Sequence, residues 1–410
     1  MPAPSSSTIL ITCGRDLVPW LEQEVRALGF TPDSTHKTSL TLTGTLADCM
    51  RLNLCLRTAF EVLYLLDEFP CRDGDDLYRR VVRMPWDEWI SPDEYLTVTT
   101  RVDTLTVNNS MFPSLKVKDA IVDRIARFQE RGRRPDSGPD RNGIVITLYW
   151  KDDRARIYFN TTGQKLADRG YRRLAYKAPL RETIAAAALL ATGYDGSQPL
   201  IAPMCGSGTF AIEAALIGAG RAPGPLRANY SMMHWRGFDR EAWEALRLDL
   251  NKQARKHPRN QTRTQTRPAP IIASDIDPEA VNVAQRNAAT AGVERLIDFH
   301  VCDFAHTPMP ANPAGAIVIM NPEYGLRLGN LKALEHTYAR IGDFFKTRCQ
   351  GCTGWVFTGN LDLAKHIGLK PSRRIPFSNA EIECRLLKYE IYAGTRRKPA
   401  AGPSQPPIEA

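Results

Sequence analysis

The chain has 410 residues, 43% of them hydrophobic, which is globular in character and too long for one ordinary core, so two or three packed domains are expected. Lys and Arg number 54 against 45 Asp and Glu, and the resulting charge of +9 favours a polyanionic partner such as nucleic acid. No apolar run approaches the roughly 18 residues of a membrane span, and MPAPSSSTILITCG has neither a basic lead nor a long apolar stretch, so a cytoplasmic protein without membrane contact is expected.

From the N-terminus, STILITCG reads as a strand, Asp16 to Ala27 as a helix, SLTLTGTL as a strand and Leu46 to Leu56 as a helix. This is a small α+β unit. A second begins near EVLYLLDEF and continues through EYLTVTTRVDTLTV, the helix KVKDAIVDRIARFQERG and the strands GIVITLYW and ARIYFNTTG. Neither unit places a nucleophile beside a base or gathers a ligand set, so the chemistry is expected elsewhere. Basic runs fall where the second unit is expected to have loops, at residues 80–83, 116–118 and 131–134, with Phe112 and Tyr149 nearby in sequence. Such runs are either solvated faces or a track for RNA phosphates.

The nine cysteines are scattered and odd in number, without the spacing of a secreted disulfide framework, so reduced thiols are expected. Cys349 and Cys352 form a lone CQGC with no second ligand pair, and no metal is expected.

After KLADRGYRRLAYKAP the composition changes. An Ala-rich helix, RETIAAAALLATGY, leads into PLIAPMCGSGTFAIEAALIGAG. Then PAPIIASDIDP, EAVNVAQRNAATAGV, LIDFHVCDF and AGAIVIMNPEYG follow as strand, helix, strand and strand, the order of an open α/β sheet. TGWVFTGN, a helix at LDLAKHIG and the strand ECRLLKYEIYAG complete it. The polar insertion QARKHPRNQTRTQTRPAP is expected to be an exposed loop, and residues 396–410 a disordered tail.

Cys205, Gly206, Ser207, Gly208 and Thr209 form a tight loop between a strand and a helix, where backbone amides are open to a ligand. The loop lacks the Lys of a phosphate-binding Walker sequence and the spacing of GxGxxG, so a nucleotide-like ligand with few phosphates suits it better. Asp275 and Asp277 end the next strand, where an open sheet places an acid for ribose hydroxyls, and Asp303 ends the third. Asp277, before Pro278, also reads as a helix cap. Asn321, Pro322, Glu323 and Tyr324 close the fourth strand on the same edge. An Asn carboxamide oxygen and a neighbouring peptide carbonyl together accept both hydrogens of an exocyclic amine, Pro322 holds them in advance, and Tyr324 offers a stacking face. Asn-Pro also serves as a plain strand-ending turn.

The order GSGT, DID, CDF, NPEY resembles that of class I S-adenosylmethionine-dependent methyltransferases that act on amines, whose motif is usually NPPY. RGYR (169–172), APLRETIAAAAL, PMCGSGTFAIEAA, DIDPEAVNVAQRNAATAG and IECRLLKYEI extend the resemblance to the THUMP-domain RNA methyltransferases, especially bacterial enzymes for guanine N2 in large-subunit ribosomal RNA. In the N-terminal half, LRTAFEVLYLL and KVKDAIVDRI are similar to the same group. The resemblance implies a ferredoxin-like subdomain (7–60), a THUMP RNA-binding domain (61–165) and a Rossmann-like α/β methyltransferase domain (175–395). It implies S-adenosyl-L-methionine as cofactor, held by Pro203, the loop Cys205 to Thr209, Asp275, Ile276 and Asp303, with Asp275 on the ribose and Asp303 on the adenine amine. Asn321, Pro322, Glu323 and Tyr324 would engage the target base, and the helix after Arg181 and Glu182 would lie beside the cofactor. A monomer acting on 23S rRNA or its precursor is expected. A tRNA guanine-N2 methyltransferase and a non-catalytic ribosome-assembly protein are the alternatives.

Two positions depart from the family pattern. Ala202 stands where an Asp is usual, removing a carboxylate near the cofactor's amino group, and Glu323 replaces the second Pro. A carboxylate at 323 accepts the adjacent N1–H and N2–H donors of guanine, whereas adenine offers an acceptor at N1.

Overall fold

The computed structural model describes residues 5–104, 107, 109, 111–129, 132–174, 176–177, 179–256, 269–325 and 331–392. Its first half is built on strands β1 (Ser7–Cys13), β2 (Ser34–His36), β3 (Ser39–Gly44), β4 (Ala59–Pro70), β5 (Tyr95–Asp103), β6 (Asp136–Ser137), β7 (Ile144–Lys151) and β8 (Arg154–Asn160). They form a single sheet in the order β2-β3-β1-β4-β8-β7-β5-β6. The two α+β units expected from the sequence are thus joined through β4, which crosses the 60/61 boundary and pairs antiparallel with β1 on one side and β8 on the other.

The helices of this half are α1 (Val18–Ala27), α2 (Leu46–Cys55), α3 (Gly74–Val81), α4 (Trp86–Trp89) and α5 (Met111–Phe128). Helix α2 starts on a capping box in which the Thr45 hydroxyl accepts from the Asp48 amide and Asp48 accepts from the Thr45 amide. Helix α1 starts at Val18 rather than Asp16, because Asp16 sits in the left-handed region at φ +69°. The basic runs also differ from expectation. Residues 116–118 lie inside α5, and Arg80, Lys116, Lys118 and Arg133 are ion-paired with Asp67, Asp75, Asp119 and Asp93. Residues 130 and 131 are outside the described set.

The second half contains α6 (Glu182–Thr192), β9 (Leu200–Pro203), α7 (Thr209–Gly218), α8 (Arg240–Lys256), β10 (Ile271–Asp275), α9 (Pro278–Thr290), β11 (Ile297–Val301), β12 (Ile317–Met320), α10 (Leu331–Arg348), β13 (Thr353–Thr358), α11 (Leu361–Lys365), β14 (Arg373–Asn379) and β15 (Ile382–Glu390). The sheet order is β11-β10-β9-β12-β13-β15-β14. The first five are parallel, and β15 runs antiparallel to its neighbours. Strands β9, β10, β12 and β13 are buried on nearly every residue, as a parallel sheet covered by helices on both faces requires. Strand order reverses between β9 and β12, and such a switch opens a crevice at the carboxyl ends of the strands.

Most of the polar insertion and the whole tail, residues 257–268 and 393–410, lie outside the described residues. Gln253 to Lys256 belong to α8.

Candidate active site

The loop after β9 turns on alternating left-handed residues. Met204 (φ +54°), Gly206 (+52°) and Gly208 (+82°) bend the chain tightly, but not so as to leave its amides open as the sequence suggested: Cys205 donates to the Ser274 carbonyl, Gly206 to Asp275 Oδ2 and Gly208 to the Cys205 carbonyl. A side chain at Gly206 would meet open space, whereas a Cβ at Gly208 would stand 2.8 Å from the Ala284 Cβ. Gly208 therefore lets α9 approach α7, and Gly206 keeps the loop's outer surface bare. The Cys205 thiol lies against the loop, and burial pushes its pKa up, leaving it a neutral contact group.

Asp275 ends β10 with its carboxylate partly engaged: Oδ2 accepts from the Gly206 amide at 2.9 Å and Oδ1 from the Asp277 amide at 3.1 Å. Each oxygen keeps a further lone pair for a hydroxyl. Asp277 caps α9 by accepting from the Glu279 amide, with Pro278 in the first turn, and also accepts from the Tyr176 hydroxyl. Ile276, between the two acids, is 68% exposed, a bare apolar side chain at the crevice. Asp303 caps the short 3-10 turn after β11 through the Ala305 amide, and its Oδ1 also accepts from the Arg340 guanidinium at 2.7 Å. Burial raises its pKa, but the Arg340 and Ala305 hydrogen bonds outweigh this and hold the carboxyl below its ordinary range.

Pro203 ends β9 and is buried there. Ala202 precedes it, 1% exposed and in register with Ala273, so no side-chain acceptor stands at this point of the sheet edge.

At the end of β12, Pro322 is buried and Glu323 exposed. Among the described residues the Asn321 carboxamide Oδ1 is buried without a hydrogen-bond partner. A buried acceptor left this way costs about 1–3 kcal/mol, and at this strand end it is available to a donor from outside. Tyr324 is pinned: Asn379 Nδ2 donates to its hydroxyl (3.3 Å), Asn360 Nδ2 donates to its carbonyl (3.5 Å), and its ring edge lies against Gly359. Residues 326–330 of this segment are outside the described set.

Three residues given no role by sequence reasoning belong to the same neighbourhood. Arg172 donates to Ser207 Oγ (3.3 Å), Thr209 Oγ1 (3.2 Å), the Leu180 carbonyl (2.7 Å) and Glu182 Oε1 (2.9 Å), placing a half-buried cation at the N-terminus of α7. Its sequence signal was the RGYR segment, conspicuous only as a resemblance. Arg340 and Asn379 carried none, because each meets its partner from a distant element. Helix α6 follows Arg181, and its Glu182 is buried against Arg172, where burial raises the carboxyl pKa. Among the described residues no group of three or more His, Cys, Asp or Glu converges as a metal site requires. No helix among them is long and apolar enough to cross a membrane.

The sheet order and the crevice with its glycine loop, strand-end acids and Asn-Pro turn define a class I methyltransferase fold. Comparison with known proteins takes this further. Residues 169–388 match the family described as RMKL-like, methyltransferase domain, residues 71–160 match the THUMP domain and residues 8–63 the RlmL ferredoxin-like domain. The chain belongs to this methyltransferase family, and its methyl donor is S-adenosylmethionine. It is 35% identical over 93% of its length to a Synechocystis sp. protein named provisionally as an RNA methyltransferase, covering 96% of that protein. It is 36% identical to the ribosomal RNA large subunit methyltransferase K/L of Syntrophotalea carbinolica, again over 93% of this chain. Of that relative the chain spans about half, 53%. A solved possible methylase from Clostridium difficile 630 superposes with a TM-score of 0.81 at 27% identity, over 96% of this chain and all of the other.

Proposed function

We propose that this chain transfers a methyl group to the exocyclic N2 amine of a guanine in large-subunit (23S) ribosomal RNA. The observation that carries the reading is the buried, unpartnered Asn321 Oδ1 beside the Pro322 peptide, at the strand-order switch and on the same edge as the glycine loop. The names of the K/L relatives and the THUMP match support the choice of RNA.

The residues present fit S-adenosylmethionine. The open space at Gly206 leaves room for the methionine part, with the α7 N-terminus and Arg172 favouring its carboxylate. Asp275 has lone pairs to spare for ribose hydroxyls, exposed Ile276 suits the flat face of adenine, and Asp303 Oδ2 remains for the adenine amine while Oδ1 is held by Arg340. The site lacks a carboxylate at Ala202 for the ammonium, which is left to main-chain carbonyls. When bound, the cofactor supplies a methyl group already activated on sulfonium sulfur.

This chain's own residues prepare the nucleophile. Asn321 Oδ1 and the Pro322 carbonyl accept the two N2–H hydrogens, drawing the amine lone pair out of the ring and holding the nitrogen in line with the methyl. Tyr324 stacks on the base. Glu323 accepts the guanine N1–H, and Lys177, within electrostatic reach of Glu323 and Asp277, tempers its charge. As bonding to N2 forms and the bond to sulfur breaks, the nitrogen sheds one proton to these acceptors or to solvent. A paired target base must first leave its stack, and residues 7–60 and 61–165 are assigned to gripping the surrounding RNA while 175–395 perform the transfer. The reading includes action as a monomer in the cytoplasm and without a metal, since the sulfonium needs no Lewis acid.

Mapping N2-methylguanosine in RNA from cells with and without the protein tests it. A 23S guanine that loses the mark supports the reading, and a mark lost only from tRNA redirects it. Failure to bind cofactor by calorimetry would favour a non-catalytic assembly protein. Glu323→Gln and Glu323→Pro should slow transfer to guanine-bearing RNA, and unchanged rate and base choice in both would remove Glu323 from recognition.

A further inference from the structure

The Tyr324 ring owes its position to the β14–β15 hairpin. Asn379, the last residue of β14, donates to the Tyr324 hydroxyl, and the buried Cys384 thiol of β15 stands beside the same oxygen. Gly359, after β13, is wedged between the ring and Ile382 of β15: a Cβ there would lie 3.0 Å from the ring and 2.9 Å from Ile382. The hairpin tip is itself tied down. Ser378, next to Asn379, donates from its hydroxyl to Asp16 Oδ2 at 2.8 Å, a contact spanning 362 residues of sequence. Asp16 lies in the turn between β1 and α1, in the half of the chain that carries no chemistry. Both sides of this contact adjoin left-handed residues that are not glycine, Asp16 itself (φ +69°) and Ala380 (φ +57°). Such backbone persists only where the surroundings fix it.

We propose that Asp16 is a positioning residue for methyl transfer. It acts through Ser378 and Asn379, so that the N-terminal half sets the orientation of the ring that receives the target base. The inference rests on the reading of Tyr324 as the base-contacting aromatic. Loss of the Asp16–Ser378 bond frees the hairpin tip, lets the Tyr324 hydroxyl drift with Asn379, and misaligns the stacked base relative to the methyl group, without touching the cofactor cradle.

The test measures labelled methyl transfer by the full chain to RNA from cells lacking the protein, at saturating RNA and cofactor. Asp16→Gly removes the carboxylate while easing the left-handed backbone, and Ser378→Ala removes the donor from the other side. Each is expected to lower the saturated rate about tenfold, about 1.4 kcal/mol, the size of one hydrogen bond. The cofactor dissociation constant and the KM for RNA should stay within about twofold. The double variant should be no slower than either single one. Asp16→Asn should restore most of the rate, since its amide oxygen accepts from Ser378 and Asn tolerates the left-handed region.

Tyr324→Ala separates the two layers of the argument. A wild-type rate in Tyr324→Ala would sink the reading of the turn and this inference together. A slow Tyr324→Ala beside wild-type rates in Asp16→Gly and Ser378→Ala overturns the inference alone. Additive losses, or a rise in KM for RNA at unchanged saturated rate, overturn it as well.

Discussion

At the scale of single residues, the site is a set of groups whose hydrogen-bonding capacity is unequally spent. Asn321 Oδ1 is unspent among the described residues, so Asn321→Ala should remove a transition-state acceptor and cost about 100- to 1000-fold in single-turnover methyl transfer. Cofactor affinity, followed by calorimetry, should change little. Asp303 is instead half spent on Arg340. Its depressed pKa means that the folded state releases this proton more readily than the unfolded chain, which contributes stability above the ordinary carboxylate pKa and loses it as pH falls through the depressed value. Arg340→Ala removes the main opposing influence, leaving only the Ala305 amide and His306 to set against burial. The melting-temperature gap between the wild-type chain and Arg340→Ala should therefore be full near neutral pH and narrow below about pH 4. Residues of the glycine loop and the strand-end acids were legible in the sequence because each motif is contiguous and its backbone demands are local. Arg172 and Arg340 were not, since a cation's role depends on which distant oxygens it meets.

At the scale of elements, the parallel strands and α1, α2, α5, α6 and α9 follow from apolar runs, helical spacing and caps. Strand β14 is not announced locally, since Pro376 within RRIPFSN argues against a strand interior, and the structure accommodates it by placing β14 at the sheet edge. Helices α3 and α4 are too short for a strong period, and nothing local announces that Asp16 would be left-handed. The hairpin between β14 and β15 turns through Ala380 and Glu381, with Asn379 opposite Ile382. Glycine at 380 relieves the φ +57° that alanine endures there, so Ala380→Gly should stabilise the fold by about 1 kcal/mol, read as a higher urea midpoint. Gly359→Ala should do the opposite for function. Its Cβ would press on Tyr324 and Ile382, slowing methyl transfer while cofactor affinity is retained.

At the scale of the molecule, the two halves are joined by a buried ionic cluster as well as by the hairpin tip. Arg169 and Glu213 are 1% and 0% exposed and 3.2 Å apart, Tyr171 donates its hydroxyl to the same carboxylate, and Arg169 also donates to the Arg57 carbonyl beyond α2. Glu213→Ala strands a buried guanidinium and should cost about 3–5 kcal/mol in chemical denaturation, far more than the pair's absence from an apolar design would. The fold class of each half was legible from element order alone. The union of the two N-terminal α+β units into one sheet was not, because it depends on β4 bonding to strands on both sides. That strand also sets a schedule for the nascent chain. Its first partner, β1, has already been made when β4 is completed at Pro70, but its second, β8, begins only at Arg154, more than 80 residues later. At a synthesis rate of about 5–20 residues per second, one edge of β4, a row of unpaired backbone N–H and C=O groups in an apolar strand, waits open for about 4–17 seconds while the chain is still tethered to the ribosome. The interval is long enough for a holding chaperone to act, and it makes the stretch from β5 to β7 the period of synthesis in which this protein is most exposed to aggregation.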